Sequence, residues 1–138
     1  MIKYLLDTNV ISELRKPRPH GGVTAWVQAL DWKQLFLSAV TLGELQAGIE
    51  LTRQQDPSKA GQIEAWVNRL AGSFQVLPMD GDCFRECARR MHGQPDDLLL
   101  DGMIAATASV HDLTVATRNT RDFVRLGVQV VDPFRVAR

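Results

Sequence analysis

Short apolar, β-branched runs recur along this chain with longer stretches of helical period between them, and that alternation most restricts its fold. It signals βαβ units, whose strands lie parallel. The runs place strands near residues 2 to 6, 35 to 38, 74 to 77, 114 to 117 and 128 to 131. Helices fit near 9 to 15, 22 to 31, 41 to 53, 58 to 71, 82 to 92 and 98 to 111, with a short helical turn near 120 to 125. The expected architecture is α/β, with a mostly parallel five-stranded central sheet and helices on both faces. At 138 residues the chain fits one domain, 1–138, able to bury a core without disulfides.

Between 58 and 71, apolar Ile63, Trp66, Val67 and Leu70 recur at spacings of three and four, and Gly72 stands where a left-handed cap would end that helix. Arg15 to Gly22 and Gln54 to Lys59 are polar, proline-bearing connections. Trp26, Trp32 and Trp66 offer apolar area, with core packing the default.

Hydrophobic residues make up 45% and charged residues 23%, with a formal net charge of zero. That balance excludes intrinsic disorder, and it leaves any nucleic-acid argument to local charge rather than to a basic composition. Asp7 interrupts the N-terminal apolar run within a few residues, and no stretch approaches the roughly 20 apolar residues that span a bilayer. No leader and no membrane association are expected, and the cytoplasm is the expected location. Cys83 and Cys87 share one helix face, with His92 the nearest imidazole. Zinc asks for four ligands at other spacings, so buried free thiols are expected there.

The chemistry-bearing residues are acids at the ends of the expected strands. Asp7 follows Ile2 to Leu6, Glu44 lies early in the helix after Leu35 to Leu37, Asp101 opens an apolar helix, and Asp122 lies beyond Leu113 to Ala116. Ligand sites of open α/β sheets form beyond the carboxyl ends of the strands, so acids distant in sequence can meet there. Carboxylates sharing one pocket repel each other unless protons or a cation neutralise them. A divalent-metal site is therefore expected. Asn9, Ser38, Thr117 and Asn119 supply neutral polar groups near the same edge, able to orient ligands or substrate from behind, with ordinary turn and cap roles the individual alternative for each.

Each acid also has an ordinary structural explanation. Thr41 and Glu44 have the spacing of a capping box, Asp7 suits a cap for the helix near Asn9, and Asn119 or Thr120 could cap the helix that holds Asp122. Asp96 and Asp97, after Pro95, are assigned as helix caps. Asp101 lies between Leu98-Leu99-Leu100 and Met103-Ile104-Ala105-Ala106, and a charge in such an apolar helix calls for a partner. Separate capping explanations must all hold at one sheet edge, whereas a shared cation accounts for the acids together. Magnesium suits the set, since it binds through one or two carboxylates and keeps several waters through which other acids act.

Four stretches carry a resemblance: Leu5 to Glu13 (LLDTNVISE), Leu37 to Leu45 (LSAVTLGEL), Asp101 to Ala108 (DGMIAATA) and Thr117 to Phe123 (TRNTRDF). Together they resemble PIN-domain toxins of the VapC and FitB type, in the same order and across almost the whole chain. The resemblance implies a single PIN-like domain and a magnesium-dependent ribonuclease of a toxin–antitoxin module, restrained by a cognate antitoxin. Manganese is a possible substitute for magnesium. By motif, Asp7, Glu44, Asp101 and Asp122 match the family's acidic quartet. Asp7 and Asp101 are then the principal metal ligands, with Glu44 and Asp122 acting through water. The resemblance also implies a homodimer. Gly102 stands where alanine or serine is more usual, at about 1 kcal/mol against alanine in a helix, and is expected to loosen Asp101. Asp96 through Leu100 likewise depart from the usual proline and small residues.

Arg15, Lys16 and Arg18 after the first helix, with Arg118 and Arg121 near the acids, are candidate contacts to an RNA backbone; solvated surface charge is the equal alternative for each. Two other functions fit the sequence: a catalytically silent PIN-like module that binds nucleic acid or protein, and a nuclease acting on DNA. Aspartyl-phosphate chemistry lacks its second acid, Asn9 standing there instead, and neither glycine-rich nucleotide-binding fingerprint occurs.

Overall fold

A computed structural model describes residues 1–135. Its five strands are β1 (Tyr4–Leu6), β2 (Leu35–Ser38), β3 (Gln75–Leu77), β4 (Thr114–Ala116) and β5 (Val130–Val131). They form one sheet in the order β3-β2-β1-β4-β5, and every neighbouring pair is parallel. The strands are shorter than the apolar runs that mark them, because residues such as Ile2 extend past the ladder and lie exposed.

Helices α1 (Thr8–Arg15), α2 (Gly21–Gln28), α3 (Ala39–Gln55) and α4 (Pro57–Ser73) lie between β1 and β3; α5 (Gly81–Met91), α6 (Leu99–Val110) and α7 (Thr120–Arg125) follow. Successive strand residues face opposite sides of the sheet and so feed two cores. Leu5 and Val115 pack with Ile104, Ala105, Ala108, Phe123 and Leu126 of α6 and α7. Leu6, Leu37 and Ala116 pack with Ile11 of α1 and Leu70 of α4. Both faces are thus covered, as a parallel sheet requires. A third cluster, Ile49, Ala60 and Val67, joins α3 to α4.

The chain runs outward from β1 through β2 to β3, then returns to place β4 on the other side of β1. The direction of winding therefore reverses between β1 and β4, and a crevice opens there at the carboxyl ends. This is the position that the first and last acidic motifs share.

Several local expectations change. The connection expected over Gln54 to Lys59 shrinks to Asp56, whose N–H bonds Thr52 O at 2.8 Å and whose carboxylate accepts from Lys59 N at 3.1 Å. One residue closes α3 and caps α4, with Pro57 at the first helical position that tolerates it. Gly72 lies inside α4, which continues to Ser73 and ends at extended Phe74, so no left-handed glycine cap forms. Asp96 and Asp97 occupy a short 3-10 turn ahead of α6 without making a side-chain cap. Trp26 and Trp66 pack at the edge of a core, whereas Trp32 is 63% exposed. Cys83 and Cys87 are buried free thiols on α5, and burial pushes both up in pKa.

Gly102 proves to be a packing position. A Cβ there would stand 2.6 Å from Met91 Sδ and 2.7 Å from Met91 Cγ, so the missing side chain lets the end of α5 press against α6. The expected looseness at Asp101 gives way to close contact.

Candidate active site

The first acid sits at the end of the central strand. Asp7, 5% exposed, caps α1 by accepting from Thr8 N at 2.8 Å, which fulfils the capping role its position suggests. Its other carboxylate oxygen accepts from Thr117 Oγ1 at 2.8 Å and Asn9 Nδ2 at 3.2 Å. The cap and the cross-strand bonds use different oxygens of one carboxylate. Thr117 comes from the end of β4, so this bond spans the crevice. Asn9 is held there as well, donating to Thr117 Oγ1 at 3.3 Å and accepting from Arg118 N at 3.1 Å.

Glu44 reaches the same crevice from α3. Ser38 caps that helix by accepting from Val40 N at 3.0 Å, three residues before the expected start. The capping box expected between Thr41 and Glu44 therefore does not form. Ser38 is a helix cap among buried groups rather than a support for the acids. Glu44 Oε1 instead accepts from Thr8 Oγ1 at 2.9 Å, and Thr8 Oγ1 also lies 3.1 Å from Thr41 Oγ1. Thr8 is the member of this network that sequence reasoning misses. A hydroxyl immediately after the first acid is the available signal, but its partner stands 36 positions away.

Asp101 in the first turn of α6 and Asp122 in the first turn of α7 share one donor. Asn119 Nδ2 lies 3.1 Å from Asp101 Oδ2 and 2.9 Å from Asp122 Oδ2. Asn119 N in turn donates to Thr117 Oγ1 at 2.9 Å, which ties this pair to Asp7. Asn119 precedes α7 but makes no side-chain cap.

The charges feel one another. Burial, then the negative charges of Asp7, Asp122 and Glu44, push Asp101 up to about 6, against the opposing bond from Asn119. Burial raises Asp7 although Thr117 and Thr8 stabilise its charge. Burial raises Glu44 too, with help from Asp7 and against Thr8. Neutral hydroxyls and amides hold all four acids, and among the described residues none of the four has a cationic side chain within ion-pair distance.

That donor set suits a hard divalent cation: oxygen atoms only, negative, and lacking a counter-charge. Among the described residues, no three histidine, cysteine or acidic side chains stand close enough to form a finished cage. A cation that takes one or two carboxylates and retains its waters needs no such cage.

The basic candidates divide. Lys16 is already engaged, its Nζ 2.9 Å from Glu13 Oε1. Glu13, buried and held below its usual pKa chiefly by Lys16, also accepts from His20 N at 2.9 Å and so braces the connection between α1 and α2. Arg15, Arg18 and Arg121 are exposed. Arg118 is exposed, bonds Asn9 through its backbone N–H, and lies over the Phe134 ring, 3.7 Å from its centroid.

Known proteins resemble this chain in sequence and fold. The sequence model of the PIN domain matches residues 4–129. The chain is 38% identical to VapC ribonuclease Y4jK of Sinorhizobium fredii, over 96% of this chain and 99% of that protein. It is 36% identical to Toxin FitB of Neisseria gonorrhoeae, over 94% and 97% respectively. The crystal structure of FitAcB from Neisseria gonorrhoeae superposes with a TM-score of 0.86 at 35% identity, covering 96% of this chain and 99% of that one. The chain is a member of the PIN domain family, of the VapC and FitB type.

Proposed function

We propose that this protein is a magnesium-dependent endoribonuclease, the toxin of a toxin–antitoxin pair, with residues 1–138 acting as one domain. The observation that carries the reading is the meeting of Asp7, Glu44, Asp101 and Asp122 at the β1/β4 crevice, with no cationic side chain among the described residues in ion-pair distance and with three of the four raised in pKa. The names of its relatives, VapC ribonuclease and Toxin FitB, support the reaction class and the toxin role.

In this reading Asp7 and Asp101 would hold magnesium, or manganese in its place, and Glu44 and Asp122 would act through water, as hydrogen-bond acceptors or as a general base. The cation, when bound, makes a water more acidic and stabilises charge on the phosphoryl oxygens and the leaving group. Thr8, Asn9, Thr117 and Asn119 fix the carboxylate orientations that this requires. Arg15, Arg18, Arg118 and Arg121 offer positive charge to the phosphate backbone from around the crevice. An antitoxin segment that directs an arginine into the carboxylates would neutralise them and block the site. The protein works in the cytoplasm, as a homodimer.

The test is cleavage of a defined RNA panel with magnesium by the purified protein and by Asp7→Asn. Loss of cleavage in the variant and in excess chelator, with return on adding magnesium or manganese, is the expected result. Equal cleavage by both proteins, or cleavage undiminished in chelator, overturns the reading. Copurification after co-expression of the toxin and antitoxin genes tests the partner, and independent elution counts against it.

A further inference from the structure

The connection from β4 to α7 serves two sites. Thr117 and Asn119 direct their side chains to the acids. Arg118 and Thr120, the alternate residues, line a separate cavity of about 360 Å³ with His20, Asp132, Phe134 and Arg135. The two sites are neighbours across a few residues of backbone, and Arg118 N bonds Asn9, which itself bonds Asp7.

This cavity combines an aromatic surface with positive charge. The Arg118 guanidinium covers one part of Phe134, and the His20 ring stands 5.3 Å from the same ring at 60°. His20 Nδ1 accepts from Gly22 N at 3.1 Å and Val23 N at 3.3 Å, which leaves the ring proton on Nε2 as a donor. The bond from His20 N to Glu13 holds the histidine in place. Asp132 accepts from Phe134 N at 2.9 Å and lies 3.8 Å from Arg135, and Arg118 and Arg135 both line the cavity with it. Among the described residues Arg118 has no carboxylate within ion-pair distance.

We propose that this cavity is a nucleotide subsite, which takes one ribonucleotide of the substrate strand next to the acidic centre. Its base stacks on the Phe134 and Arg118 surface, and its phosphate meets Arg118 and Arg135. Unpaired bases are recognised by stacking on aromatic rings and guanidinium planes. An acidic peptide would use the guanidinium groups but not the ring. The assignment rests on the ribonuclease reading above.

Histidine ring NMR signals of the full chain read the site directly, because His20 has only His92 and His111 as companions. The probe is a nucleoside 5′-monophosphate in chelator, so that no cation at the acids contributes. Saturable movement of the His20 signal, with His92 and His111 still, is expected. Phe134→Ala should weaken binding about tenfold, the scale of base–aromatic stacking, and Phe134→Tyr should restore it. Arg118→Gln, at an exposed position, supplies the same test should Phe134→Ala fail to fold. A stationary His20 signal at millimolar nucleotide overturns the proposal. Equal shifts from inorganic phosphate or N-acetylglutamate overturn it in favour of an acidic protein segment. Asp7-dependent RNA cleavage without nucleotide binding removes this subsite alone; nucleotide binding without such cleavage removes the ribonuclease reading, and with it the substrate-strand role, and leaves only a nucleotide-binding cavity.

Discussion

Asn119 joins two acids from different helices through one amide, at 3.1 Å to Asp101 and 2.9 Å to Asp122. An amide NH2 has two donors, and both are engaged here. The distance between these carboxylates is therefore set by a neutral side chain that no cation needs to touch.

Asn119→Leu should weaken divalent binding by about tenfold or more, the usual effect of losing a group that orients metal ligands. Manganese titration calorimetry measures it. Unchanged affinity in a folded variant would show that the helices alone hold the acids.

Asp101 favours its protonated form in the folded chain, with a pKa raised to about 6. The stability tied to that preference is full below the unfolded value of about 4 and is lost as pH rises through 6. Without metal, the wild type should therefore lose stability relative to Asp101→Asn across this window. Thermal unfolding in chelator at either end of it compares them. Magnesium at neutral pH should raise the melting temperature of the wild type more than that of the variant. A constant difference between the two proteins across pH would refute the raised pKa.

Much of this arrangement is legible in the sequence, because strand ends and apolar periods depend on local patterns. The positions of Asp7 and Asp122 just beyond apolar runs follow from that logic. Glu44 is ambiguous in sequence, since a capping box with Thr41 needs only local spacing, and a bond from Thr8 overrides it across the fold. The early start of α3 has a similar cause: Ser38 is a strand residue that also caps the next helix. Asp56 hides a tight corner because a cap that serves two helices looks like an ordinary polar loop. Gly102 reads as a weakness in sequence because Met91, which fills its space, lies eleven residues earlier on another helix.

Gly102→Ala sets about 1 kcal/mol of helix preference against overpacking of about 1–3 kcal/mol. With a Cβ 2.6 Å from Met91 Sδ, overpacking should win and the variant should be less stable. In a Met91→Ala background the same substitution should become stabilising. A double-mutant cycle by denaturant unfolding decides, and additive effects would remove the contact from the explanation.

RNA affinity should fall with salt, and Arg118→Ala or Arg121→Ala should each reduce the slope by about one unit if its guanidinium meets a phosphate. Lys16→Ala should leave the slope nearly unchanged, because Lys16 already serves Glu13. Fluorescence anisotropy with a labelled RNA over a salt series separates the cases. A flat salt response would take the backbone contact away from all of them.

The alternation across Thr117, Arg118, Asn119 and Thr120 makes chain length here as consequential as residue type. Inserting or deleting a single amino acid between β4 and α7 would exchange the inward and outward positions. A guanidinium would then face the carboxylates, and an amide would face the neighbouring hollow. Such a change would disable both places at once while leaving every original side chain in the polypeptide, so this short stretch should tolerate a change in residue number no better than a change in its side chains.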